Sequence, residues 1–132
     1  MRYSSMRLPA LTWISLLCVA YFVIGRAESH HSIGGEFSSE EVTVTGLVTE
    51  LRLINPHTYI RVDIENGGNI EQWVLTFGPA TKLIRGSGWT PETLVPGERI
   101  TAAGRRARQG TGMYIAQLAK EDGTALITSL EE

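Results

Sequence analysis

The sequence predicts an all-β protein: a small five-stranded Greek-key barrel of the OB type, with one short helix between its third and fourth strands, preceded by a signal peptide. Three observations carry this. From Val42 onward apolar and polar residues alternate with a period of two in short successive runs, the pattern of strands that bury one face. Turn-forming clusters separate the runs, at Asn55-Pro56, Asn66-Gly67-Gly68-Asn69, Pro96-Gly97 and Glu121-Asp122-Gly123. One segment between the third and fourth runs, Pro79–Arg85, abandons alternation and reads as a helix. With 132 residues, 42% hydrophobic and 20% charged, the chain fits a single small globular domain and excludes collagen-like, disordered and multi-domain readings.

The first element is a leader. Leu8 to Ile24 is almost continuously apolar, Arg2 and Arg7 precede it, no acidic residue occurs before Glu28, and Gly25 and Ala27 supply the small residues of a cleavage site. Residues 1–27 are therefore expected to be a signal peptide, and the mature protein to be periplasmic or secreted. An uncleaved anchor is the competing reading, because the run approaches the ~17 to 25 residues that span a bilayer. Removing the leader leaves nine basic against fourteen acidic residues, a net charge near −5. That surface argues against nucleic acid as a partner. Cys18 lies in the leader behind Leu17, which is too large for lipoprotein processing. The mature chain is expected to carry neither a disulfide nor a lipid, and to have no stable membrane insertion.

Residues 28–41 hold too few large apolar side chains for an independent element and read as an extended, histidine-bearing arm. Residues 42–132 form the barrel domain. Its first strand, Val42–Ile54, changes phase after Val48, which implies a bulge near Thr49 or Glu50, and Gly46 marks its bend. In the second strand Ile60, Val62 and Ile64 alternate with Tyr59, Arg61 and Asp63. A hairpin turn at Gly67-Gly68 leads to the third, Ile70–Phe77, with Trp73, Leu75 and Phe77 turned inward. The helix begins at Pro79, with Gly86 as its stop. Trp89 and Leu94 close one barrel end. Strands four and five follow at Arg99–Arg106 and Met113–Ala119, and Ala125–Ile127 forms a short edge.

The histidines point most directly to chemistry. Cleavage after Ala27 leaves Glu28-Ser29-His30, a free amine, two deprotonatable amides and an imidazole, which together make a square-planar chelate for Cu(II) or Ni(II). Cleavage after Ser29 makes His30 the first residue, able to bind copper through its own amine and imidazole. His30, His31 and His57 are the candidate metal ligands, with copper the candidate cofactor. The blander reading has His30 and His31 solvated and His57 capping its turn. Since the first strand spans on the order of 40 Å, a site shared with His57 requires the arm to run back along the barrel.

Arg99, Arg105, Arg106 and Arg108 cluster around the fourth strand and the loop after it. A mixed charged surface explains them well, because Glu98, Glu121 and Asp122 are close in sequence. Tyr59 shares parity with Arg61 and so faces outward, whereas Trp73 and Trp89 are expected in the core. Tyr59, Arg61, Arg105, Arg106 and Arg108 are the candidate ligand or partner contacts. Catalysis finds little footing: there is no nucleophile elbow, no zinc-protease helix, no Walker lysine, and paired carboxylates such as Glu40-Glu41 or Glu131-Glu132 are neighbours in segments expected to be flexible.

Taken together, His30-His31-Ser32, Ile54-Asn55-Pro56-His57, Gly88-Trp89 before Leu94, and Pro96-Gly97 resemble a family of short exported bacterial proteins of unknown function. Typical relatives place the His-His pair directly after the last alanine of the signal, whereas here Glu28-Ser29 intervenes. The resemblance implies an exported, OB-like small protein and supplies no activity. The resulting expectation is a non-enzymatic binding module that takes Cu(II) on its histidine arm. The alternative is a metal-free module docking an envelope protein or a glycan through Tyr59, Arg61 and the arginine loop.

Overall fold

The alternating runs fold into a sheet that closes on itself. The computed structural model describes residues 33–128. A helical turn, α1 (Ile33–Glu36), leads into β1 (Phe37–Arg52), β2 (Thr58–Asn66) and β3 (Asn69–Phe77); then come α2 (Ala80–Ser87), β4 (Arg99–Ala107), β5 (Gly112–Lys120) and β6 (Ala125–Ile127). The strand order is β3-β2-β1-β4-β5-β6, and β3 also runs parallel beside β5, with Val74, Leu75 and Thr76 opposite Gly112, Met113 and Tyr114. That last pairing closes the barrel. Five closed strands, a helix between the third and fourth, and a short sixth strand on the edge make this the OB plan expected above.

Strand β1 is long because it serves two partners. Residues up to Leu47 pair with β4, and Leu47 to Arg52 pair with β2. The turn from one partner to the other falls at Gly46, where a Cβ would stand 2.6 Å from the Asp63 carbonyl oxygen. Any side chain there would push the two strands apart. The change of phase is a bulge between Val48 and Glu50. The inward positions form one core of Val48, Ile60, Val62, Trp73, Leu75 and Phe77, joined by Met113 and Ile115 from β5. Trp89 seals one end, its ring edge-on to Phe77 at 5.4 Å, with Leu94 buried beside the same core.

Three boundaries differ from the sequence expectation. Strand β1 starts at Phe37, before Val42, because Phe37 lies opposite Ala107 and Glu41 opposite Arg105. Cross-strand pairing and the Phe37 ring against Tyr114 supply an order that local hydrophobicity did not suggest. Residues 33–36 form a turn, and the following loop holds it: Arg108 donates its backbone N–H to the Glu36 carbonyl at 3.0 Å. Helix α2 runs through Gly86 and ends at Ser87, capped by Gly88 in the left-handed region at φ 68°. Pro79 is extended and precedes the helix. The expected leader, residues 1–27, and the first five residues of the expected arm, 28–32, lie outside the described residues.

Candidate functional site

Register around the barrel decides which side chains share a surface. One outward row runs from Arg52 to Tyr59, Thr76, Tyr114, Arg105 and Glu41, crossing β1, β2, β3, β5, β4 and β1 again. The next row holds Glu50, Arg61 and Val74. Tyr59 and Arg61 are therefore neighbours on the outer surface, whereas Arg105 lies three strands further along a row that circles the barrel. The Arg61 guanidinium stands 5.3 Å from the centre of the Tyr59 ring and donates to Glu50 Oε2 at 2.7 Å. Glu50 also accepts from Arg52 Nε. These contacts, the Arg52 hydrogen bond first, hold the Glu50 carboxyl below the usual carboxylate range.

Aromatic surface continues across the row. The Tyr114 and Phe37 rings meet edge to face at 5.6 Å. Partial burial pushes the Tyr114 phenol up, and the Arg105 charge opposes that shift. Val74, opposite Arg61 in the ladder, keeps 38% of its surface exposed. The outer surface thus carries two groups, Tyr59 with Arg61, Glu50 and Arg52, and Tyr114 with Phe37. Neither Glu50, Tyr114 nor Phe37 was among the residues expected here. Tyr114 was findable from parity, because it alternates with Met113 and Ile115.

The other arginines go elsewhere. Arg106 lies over Trp73, its guanidinium 5.3 Å from the ring centre. Beneath it the Trp73 indole N–H donates to Glu71 at 3.1 Å and Asn66 Nδ2 donates to the same carboxylate at 3.0 Å. Those two bonds, the indole's first, hold Glu71 below the ordinary range. Arg108 reaches the α1 turn, donating from Nη2 to the Gly34 carbonyl at 3.4 Å. Arg105, Arg106 and Arg108 thus occupy three separate surroundings, and Arg99, the fourth of the expected cluster, pairs with Glu121 at 3.6 Å.

His57 is exposed in the β1–β2 loop, and no group of three or more His, Cys, Asp or Glu side chains converges among the described residues. His30 and His31 lie outside those residues. The neighbours of His57 have a structural task that sequence reasoning missed. The Ile54 carbonyl accepts from Ala80 N–H at 3.2 Å, and Asn55 Oδ1 accepts from Thr81 N–H at 3.3 Å. They satisfy the first donors of α2, whose own N-cap, Pro79, has no side-chain acceptor. A helix starting behind proline without Ser, Thr, Asp or Asn was the signal that a cap must come from another loop.

Fold and surface define a small OB-type barrel with an aromatic and arginine-bearing outer wall. The chain belongs to DUF6152, a family of unknown function, whose family model matches residues 16–116. No curated protein matches it. Among solved structures it is similar to the mitochondrial single-stranded DNA binding protein Rim1 of S. cerevisiae, with 10% identity over 65% of this chain and 95% of that one, at a TM-score of 0.48. This finding corrects the partner expectation drawn from net charge. That neighbour is by its printed name a single-stranded DNA binding protein. A whole-chain sum of charges does not by itself exclude nucleic acid, because it says nothing of where the charges stand on the surface.

Proposed function

We propose that the protein is an exported, non-catalytic binding module that takes Cu(II) at the N-terminus created when its leader is removed. One observation carries the reading: Gly25 and Ala27 occupy the small-residue positions of a cleavage site, and the cut places His30 third in the new chain. A free amine, two amide nitrogens and an imidazole then surround a square-planar ion, the geometry Cu(II) prefers. A cut after Ser29 uses the amine and imidazole of His30 itself. Both products depend on the terminal nitrogen and on His30.

Support from the fold is that the chain is held directly after this segment. Arg108 bonds the Glu36 and Gly34 carbonyls, and Phe37 enters the β1–β4 ladder. His57 follows the far end of β1, a strand of 16 residues. It stands apart from the chelate in this reading. The test is intact mass and copper content of the protein recovered from the cell envelope or medium. The expected result is a mass beginning at Glu28 or His30 with stoichiometric Cu(II) uptake; a mass that retains the leader sinks the proposal.

A further inference from the structure

The first half of β1 is a sheet edge. From Glu41 to Gly46 its backbone pairs with β4 on one side. On the other side it has no strand among the described residues, because β2 pairs with β1 only from Leu47 onward. Strand β2 leaves that edge by crossing over Gly46, where Asp63 and Ile64 lie against the glycine. Side chains record the gap. Val42 and Val44 share the inward face of Val48, yet both are only partly buried while Val48 is 1% exposed. An edge that leaves backbone donors and acceptors without a strand among the described residues, beside inward valines that are only partly buried, is a template for another strand.

We infer that this edge pairs with the same edge of a second copy, antiparallel about a two-fold axis at Thr43. Register selects that centre. A two-fold perpendicular to the sheet brings residues of equal parity together, so the alternatives differ by steps of two. Centring on Glu41 sets two carboxylates face to face. Centring on Val42 sets Glu40 against Val44 of the second copy. Centring on Thr43 sets Val42 against Val44, Thr43 against Thr43 and Glu41 against Thr45, so valines meet valines, threonines meet, and the acids are kept apart. The two copies then share a four-stranded ladder, β4-β1-β1-β4. Outward-facing Thr43 and Thr45 are exposed and leave the approach clear.

Sedimentation equilibrium of the purified protein tests this, with circular dichroism as a check that each variant keeps its fold. The pairing predicts a reversible twofold rise in mass with concentration. Thr43→Lys, which sets like charges across the axis, should return the monomer with an unchanged spectrum, whereas Glu41→Lys should leave the dimer. Thr43→Cys should cross-link with itself on oxidation and Glu41→Cys should not. A monomer at every concentration, a dimer indifferent to Thr43→Lys, or cross-linking through Glu41→Cys in place of Thr43→Cys overturns the inference.

Discussion

Thr58 is fully buried at the start of β2, and its hydroxyl has no hydrogen-bond partner among the described residues. A buried hydroxyl without a partner loses its bonds to water and gains nothing in return. Thr58→Val, nearly equal in shape, should therefore stabilise the protein by about 1 kcal/mol, against the usual direction of a core substitution. Chemical denaturation measures it; a loss of stability would mean that the hydroxyl is bonded. At this scale the sequence was most legible where residues obey parity or sterics. Val48, Ile60, Val62, Trp73 and Leu75 turn inward as alternation required, and Gly46 sits at the bend. Thr58 was not legible, because a threonine in a strand says nothing about whether its hydroxyl finds water.

Elements were legible in type and order, and less so at their ends. The phase change in β1, the Gly67-Gly68 turn and the two lids of the barrel could all be read from local pattern. The N-terminal extension of β1 and the cap of α2 could not, since each depends on a residue distant in sequence. Asn55→Ala should remove the acceptor for Thr81 N–H and cost about 1 kcal/mol, while Asn55→Asp should keep it, because a carboxylate also accepts at a helix N-terminus. Equal loss in both variants would deny the cap.

The turn before β4 gives a pH signature. Glu98 accepts from Lys120 Nζ at 2.9 Å and from Val95 N–H at 2.8 Å, and these bonds, Lys120's first, depress its carboxyl. A depressed carboxylate contributes stability in full above its unfolded-state pKa, and that contribution fades as pH falls through the folded-state value. Glu98→Gln should consequently flatten the acid limb of the melting-temperature profile relative to the parent protein. Parallel acid limbs would show that this carboxylate does not contribute.

Across the whole molecule, the barrel was readable because its strands bury one face, and burial leaves a periodic trace. The candidate surface was readable only in part. Tyr59 and Arg61 declare their face by parity within one strand, but where Tyr114 and Arg105 stand around the barrel from them requires register across β3 and β5, which no single strand encodes. Arg106 and Arg108 looked like companions of Arg105 in sequence, and alternation plus a loop sent them to Trp73 and to the α1 turn. Family and fold together define an OB-type barrel from a family of unknown function; the copper proposal adds a chemistry that depends on cleavage of the expected leader.

The most direct measurement is a Cu(II) titration, followed by visible absorption, of the naturally processed protein beside a form carrying one extra residue before its mature terminus. The extension leaves the barrel intact but moves His30 out of third place, or takes away its own amine if His30 is first. The account predicts tight stoichiometric binding by the native form, a large loss in the extended form and in His30→Ala, and weakening as pH falls through the ordinary histidine range, because the ligating nitrogens must be unprotonated. Equal affinity of native and extended forms, or full affinity in His30→Ala, would contradict it.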